Sequence, residues 1–264
     1  METTDIRFEK RDHVALATFQ RPEALNALRQ AALRDFITIL DEVEADPAVR
    51  VLVLTGTGRA FSAGIDLKEI GQNAEQAPAL KQIYADLQTT QDVTRRMVRM
   101  PKVILSAVNG LAVGIGVEVA LASDIRLAAE SATFTFAEVK RALFETNGVM
   151  YILPRLVGMG RALHMLLTGE TIAAQEALAA GLVTRVAPGE QLLDLALATA
   201  RTIAANAPLS VRLVKQVMQR TYDLDLEAVM QLEVDGMLQC YSSDDLLEGI
   251  KSFVEKRPPS YQGR

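Results

Sequence analysis

The sequence predicts an α/β protein built of strand–strand–helix blocks with parallel strands, followed by a nearly all-helical last third. Three observations carry this. The run Val51-Leu52-Val53-Leu54 is apolar without alternation, the mark of a strand buried on both faces. A helix with one apolar face precedes it, and a second strand-then-helix cycle follows over residues 103–129. From residue 206 onward, helical periodicity takes over.

Taken in order, Ile6-Arg7-Phe8-Glu9 and Val14-Ala15-Leu16-Ala17-Thr18-Phe19 read as a hairpin turning around Lys10-Arg11-Asp12, with His13 in a strand. Leu28, Ala32, Leu33, Phe36, Ile37, Leu40 and Val43 recur at helical spacing and give an amphipathic helix closed before Pro47. The buried strand at 51–54 leads into a loop with Gly56, Gly58 and Gly64, and a long polar helix then covers residues 79–100 before Pro101. Val103-Ile104-Leu105-Ser106-Ala107-Val108 is a strand, Asn109-Gly110 a turn, residues 116–122 a short apolar helix, and Ile125-Arg126-Leu127-Ala128-Ala129 a strand again. No fixed period recurs, so a solenoid of interchangeable units is unsupported. Asn206-Ala207-Pro208 marks a helix start, with proline in the first turn. Ser242-Ser243-Asp244-Asp245 opens the last helix, whose Leu246, Leu247, Ile250, Phe253 and Val254 form one apolar face before Pro258-Pro259.

Composition narrows the chemistry. The chain has 264 residues, 49% of them hydrophobic, enough for a substantial core. With 28 Lys+Arg against 33 Asp+Glu, the net charge of −5 argues against nucleic-acid binding, which needs a basic face. A few local lysines can still hold an anionic small molecule. The single Cys240 excludes an intramolecular disulfide and a multi-Cys zinc site, and His13 and His164 are too few for a His-rich metal centre. Met1-Glu2-Thr3-Thr4-Asp5 shows no secretory pattern, and the apolar stretch 103–122 is broken by Asn109, Gly110, Gly114, Gly116 and Glu118. A cytoplasmic protein without a membrane span is expected.

Several familiar motifs fail. Gly114-Ile115-Gly116 lacks the third glycine of a dinucleotide fingerprint, since that position is Val119. Ala60-Phe61-Ser62-Ala63-Gly64 lacks the first glycine of a nucleophile elbow. Two glycine loops and two glutamates remain. The loops cover residues 60–69 and 108–118. Each alone reads as a tight turn; two that present backbone N–H groups to one point would stabilise an oxyanion. Glu118 sits among Val117, Val119, Ala120 and Leu121, where a carboxylate is costly unless paired or used. Glu138 follows Phe134-Thr135-Phe136-Ala137 at the end of an apolar strand. A structural ion pair is the plain alternative for both.

At these residues the chain resembles the crotonase superfamily, the enoyl-CoA hydratase/isomerase family. The likeness runs from Gln20-Arg21-Pro22-Glu23-Ala24-Leu25-Asn26-Ala27-Leu28 to Phe253-Val254-Glu255-Lys256-Arg257. Its densest part joins Phe61-Ser62-Ala63-Gly64-Ile65-Asp66-Leu67-Lys68 with the run from Val108-Asn109-Gly110 through Glu118 and with Ser123-Asp124-Ile125. Ala132-Thr133-Phe134 to Glu138 and Leu153-Pro154-Arg155 follow at the family's spacing. The resemblance implies a crotonase-like spiral of ββα units over residues 1–205 and a C-terminal helical trimerisation region over 206–264, in a homotrimer or dimer of trimers. It implies a thioester carbonyl held between the backbone N–H groups of Ile65 and Ile115. Adenine and phosphates would lie near Ala24, Leu25 and Ala63, with Lys68 on a phosphate and Phe253 and Lys256 reaching over from a neighbouring subunit. Coenzyme A would enter as part of an acyl-CoA substrate, with no separate cofactor and no metal.

Glu118 and Glu138 match the catalytic glutamates of family hydratases. One carboxylate would activate water for attack at the β-carbon and the other would deliver or receive the α-proton, while the oxyanion hole stabilises the enolate-like thioester. The expected activity is that of an enoyl-CoA hydratase, a hydro-lyase adding water reversibly and syn to a 2,3-unsaturated acyl-CoA. Within the fold the alternatives are an acyl-CoA double-bond isomerase, a hydrolase or a carbon–carbon lyase. The non-enzymatic alternative is a silent CoA-ester-binding or RNA-binding homologue, against which stand both glutamates and the net charge. Three departures stand out. Ile115 interrupts a glycine run, and replacing it with glycine is expected to keep the N–H while loosening the helix start by up to ~1 kcal/mol. Glu23 stands where lysine is frequent. Residues 142–149 read Ala-Leu-Phe-Glu-Thr-Asn-Gly-Val where hydratases resemble Gly-Thr-Ile-Pro-Gly-Ala-Gly-Gly, which adds Glu145 as a further pocket carboxyl.

Overall fold

In the computed structural model, residues 5–71 and 80–264 are described. Met1-Glu2-Thr3-Thr4, part of the N-terminal pattern, and Ala79, the expected first residue of the long helix, lie outside the described residues.

Alternation builds the first hairpin. Ile6 and Phe8 of β1 (Ile6–Arg11) are buried, Arg7 and Glu9 exposed, and β1 pairs antiparallel with β2 (Val14–Phe19). The turn falls one residue later than the sequence suggests, at Asp12-His13, with Asp12 in the left-handed region at φ 55°. His13 therefore caps the hairpin instead of lying in a strand, its Nδ1 2.8 Å from the Ala48 carbonyl. In α1 (Gln30–Ala45) Ala32, Leu33, Phe36, Ile39, Leu40 and Val43 are buried. Leu28 is not part of this helix; it forms an isolated parallel bridge with Ile65.

Three cycles follow. The first contains β3 (Val51–Gly56), β4 (Ala60–Ser62), α2 (Leu67–Gly71) and α3 (Leu80–Arg99). The second contains β5 (Val103–Val108), β6 (Leu111–Val113) and α4 (Ile115–Leu121). The third contains β7 (Ile125–Ala129), β8 (Thr133–Thr135), a 3-10 turn over Glu138–Arg141, α5 (Val149–Val157) and α6 (Met159–Thr168). Each cycle gives one strand to a large sheet, ordered β1-β2-β3-β5-β7-β10, and one to a small sheet, ordered β4-β6-β8-β9. β9 (Thr171–Ala173), α7 (Ala174–Ala179) and β10 (Arg185–Ala187) complete the two sheets. The strands from β2 to β10 of the large sheet are parallel, as the continuous apolar runs require. This is the expected ββα spiral. The short strands β4 and β6 lie inside the two stretches that read as glycine loops.

The core lies along β3 and β5, where Val51, Leu52, Val53, Leu54, Ile104 and Leu105 are fully buried. Each such side chain contributes about 1.5–3 kcal/mol by leaving water. α8 (Gly189–Ala204) packs along β3, β5 and β7 through Leu192, Ala196 and Ala200. α9 (Pro208–Met218) is pinned to this base by buried Lys215, whose Nζ donates to Asp124 Oδ2 at 2.7 Å and to the Lys102 carbonyl at 2.9 Å. α10 (Leu226–Tyr241) and α11 (Asp244–Glu255) complete the helical end. The apolar face expected on the last helix is present, but within one chain it faces solvent: Leu247, Ile250, Phe253 and Val254 are all exposed. Among the described residues, no helix is long and apolar enough to cross a membrane.

Candidate active site

The two glycine stretches meet because the cycles are stacked. β4 lies beside β6, so residues 60–66 run alongside residues 111–116. Gly64 has φ +93°, and a Cβ there would lie 2.8 Å from the Val113 carbonyl oxygen and 3.8 Å from the Ile115 nitrogen. Only glycine permits both the backbone conformation and the approach.

Ile65 is held by its neighbours. The Leu28 N–H donates to the Gly64 carbonyl at 2.7 Å, and the Asp66 N–H donates to the Leu28 carbonyl at 2.9 Å. The N–H of Ile65 takes no part in that bridge. Ile115 opens α4, where a first-turn N–H has no intrahelical acceptor. No hydrogen bond among the described residues uses either N–H. Two neighbouring donors are thus left for an acceptor oxygen. The side chain of Ile115, by contrast, is core, only 6% exposed. Replacing it with glycine would leave a cavity, and truncations of this kind cost about 2–5 kcal/mol. That exceeds the loosening expected from helix propensity alone.

Glu118 follows one turn into α4 and is 4% exposed. Its Oε1 is buried without a hydrogen-bond partner, as is Oε2 of half-buried Glu138. Glu138 Oε1 occupies the place where a side chain would start at Gly114, 2.6 Å from that Cβ position. Its carboxyl therefore lies against the residue preceding the Ile115 N–H. Burial pushes the Glu118 carboxyl up to about 7, and the charge of Glu138 acts in the same direction. Glu145 and the backbone of Asn147 and Thr146 act the other way. Neither Glu118 nor Glu138 joins an ion pair with Lys, Arg or His among the described residues. The structural ion pair therefore finds no support.

Ala24, Leu25 and Ala63 are brought together on a half-buried rim, with the Ala63 N–H donating to the Leu25 carbonyl at 2.9 Å. Arg21 clamps this rim through Asp66 (3.0 Å) and the Ala27 carbonyl (2.9 Å). Burial works against the charge on Asp66, yet Arg21 and the N–H groups of Lys68 and Glu69 hold it below the usual carboxylate range. Lys68 is the second residue of α2, with its side chain exposed. Phe253 and Lys256 lie at the far end of the helical region, on or just past α11, which packs against α10. Phe253 is 86% exposed and lines a groove with Ala207, Cys240 and Tyr261. No hydrogen bond or ion pair among the described residues joins these two to the glycine loops or the glutamates.

Sequence reasoning missed Arg21, Asn26 and Asn147. Asn26 donates to the Thr57 and Ala60 carbonyls and accepts from the Arg21 N–H, fixing the rim from within. Its left-handed backbone, φ 56°, is the signal that asparagine beside a turn could have given. Asn147 is buried with both amide atoms unpartnered. No local pattern marks it.

Chemically, two free N–H groups beside buried carboxyls can stabilise an oxyanion and move protons next to it. Comparison with known proteins agrees with this geometry. Residues 9–264 match the family model described as enoyl-CoA hydratase/isomerase. The short-chain-enoyl-CoA hydratase of Clostridium acetobutylicum is 35% identical over 258 residues, 97% of each chain. The (E)-benzylidenesuccinyl-CoA hydratase of Thauera aromatica is 40% identical over 262 residues, 98% of this chain and 99% of that protein. A crystal structure of enoyl-CoA hydratase from Bacillus anthracis aligns with a TM-score of 0.93 at 35% identity, covering 99% of this chain and 100% of that one. With two free backbone donors, a buried and a half-buried glutamate and a match over nearly its whole length, the chain belongs to the enoyl-CoA hydratase/isomerase family.

Proposed function

We propose that this protein is an enoyl-CoA hydratase acting on a 2,3-unsaturated acyl-CoA. The observation that carries the reading is the pair Glu118 and Glu138, each with a buried unpartnered oxygen, beside the unused N–H groups of Ile65 and Ile115. The thioester oxygen accepts from both N–H groups. One carboxylate takes a proton from water as the oxygen bonds to C3, the double-bond electrons shift toward the thioester oxygen, and the other carboxyl protonates C2. Charge develops at the oxygen that the two donors face, where such stabilisation is most effective. Ala24, Leu25, Ala63 and Lys68 form the proposed seat for the coenzyme A part of the substrate, so the enzyme needs no separate cofactor. The proposed setting is the cytoplasm, in keeping with a single free cysteine.

Incubation with crotonyl-CoA in ¹⁸O-labelled water tests the activity. Label at C3 of the product is the expected result. Double-bond migration without label identifies an isomerase instead, and release of free acid a hydrolase.

The reading includes a trimer or a dimer of trimers, assembled through residues 206–264. Its support is the amount of apolar side chain that α9, α10 and α11 leave uncovered, including Val214, Met218, Leu226, Met237, Leu247 and Phe253. Contiguous apolar surface of this kind is characteristic of interfaces. Phe253 and Lys256 would then complete the site of a neighbouring copy. Light scattering at micromolar concentration should give three or six times the 28.8 kDa chain mass; a monomer overturns the assembly.

A further inference from the structure

Glu145 is turned inward by its loop. Ala142 and Gly148 both have left-handed backbones (φ 52° and 82°), and the Leu143 N–H donates back to the Glu138 carbonyl at 2.9 Å. Between these bends Leu143 and Phe144 face outward, Phe144 at 72% exposure, while Glu145 is only 6% exposed. Both Glu145 oxygens are buried and meet no fixed donor.

The charged groups facing it are carboxyls: Glu118 from α4 and Glu138 from the 3-10 turn. From α3 come the neutral Gln91, which donates to the Thr146 carbonyl at 2.8 Å, and Thr94, packed beside Gly148. No hydrogen bond or ion pair among the described residues joins Glu145 to a lysine or arginine. Arg95 bonds Gln88 and Gln91, Arg96 bonds Asp92, Arg155 bonds Asp223, and the Lys140 stem lies over Gly169. Among the described residues no acidic or thiol cluster is arranged to hold a metal ion. Three neighbouring carboxyls, two of them buried and none paired with a cation, cannot all ionise. Burial pushes Glu145 up to about 9, and both neighbouring carboxyls push the same way.

We propose that Glu145 is a positioning residue that remains a neutral carboxylic acid through turnover and donates its O–H within the carboxyl cluster it forms with Glu138 and Glu118. The backbone of Thr146 and Asn147, in the same loop, also favours the charged form of Glu118. Glutamate at this loop position thus places a neutral O–H donor beside the two other carboxyls. The assignment rests on the hydratase reading for its consequence, but the protonation state can be tested without turnover.

Infrared difference spectra of the free enzyme, wild type minus Glu145→Gln, should show the carbonyl band of a protonated carboxylic acid at about pH 7.5, more than two units above the usual carboxylate range. Its absence overturns the proposal even if hydration is fast, and its presence stands even if crotonyl-CoA is not the substrate. In turnover, Glu145→Gln keeps a donor and should lower kcat only several-fold, while removing the alkaline fall in rate that follows loss of the Glu145 proton. Glu145→Ala removes the donor and should lower kcat about tenfold or more at unchanged KM, with the acidic limb of the kcat profile moved up by roughly one pH unit. Profiles superimposable on wild type in both variants, or equal losses in both, would reject the role. If Glu145→Ala does not fold, the glutamine variant and its spectrum decide alone.

Discussion

Glu118→Gln and Glu138→Gln should each lower kcat for enoyl-CoA hydration by about 10²–10⁴, the usual contribution of a positioned general acid or base. Both substitutions keep side-chain volume and polarity, so KM should change little. Stability should move the other way. Glu118 titrates higher in the folded protein than the ordinary carboxylate value of 4.5, so the native state binds more protons than the unfolded chain between about pH 4.5 and 7. Stability therefore falls as pH rises through that window, and the loss persists above it. Glutamine cannot ionise and removes the penalty. Thermal unfolding at pH 8 should show Glu118→Gln at least as stable as wild type, and the two should converge near pH 4. A structural carboxylate would show the opposite pattern, with stability lost and catalysis spared. Near-wild-type turnover in either glutamine variant would falsify the two-carboxylate mechanism.

Ile115→Pro should lower kcat by about 10²–10³ relative to Ile115→Ala, the cost typical of deleting one oxyanion donor. The comparison isolates the N–H. Ile115 is the first residue of α4, where proline is tolerated because its missing N–H breaks no helical bond. Gly114 before it is already outside the helical region, at φ 52° and ψ −126°, so it escapes the restriction proline places on its predecessor. Both variants lose the buried isoleucine, so both become less stable, and melting curves should place them close together. Their binding of a saturated acyl-CoA should also match within a few-fold, because little charge sits on a ground-state carbonyl. Equal kcat in the two variants would remove Ile115 N–H from the chemistry.

Much of the scaffold was legible because it is specified by near neighbours. Val51 to Leu54 announces a buried strand through four adjacent residues, and Leu33, Phe36, Ile37 and Leu40 announce a helix face through spacings of three and four. The apolar company of Glu118 marked its carboxyl as costly in the same way. Elements of three residues escape this logic: β4 and β6 are too short to show a period, and the glycines flanking them argued for loops. Leu28 fitted the helical spacing yet became a bridge to Ile65, since pairing with a residue 37 positions away outweighs a weak local preference.

By itself, then, the sequence determined the ββα order, the helical last third and which carboxyls would be expensive, all consequences of interactions along a few residues of chain. Family likeness added the pairing of Ile65 with Ile115. Tertiary structure alone decided that Gly64 comes within reach of Val113 and Ile115, that Glu138 fills the space beside Gly114, and that Glu145 turns in while Phe144 turns out. It also decided that the apolar face of α11 stays uncovered in one chain. The reason is physical. Propensity and periodicity act over about one turn of helix or one step of strand, whereas a site depends on where separate turns of the spiral stack, and that is settled by packing across the whole core.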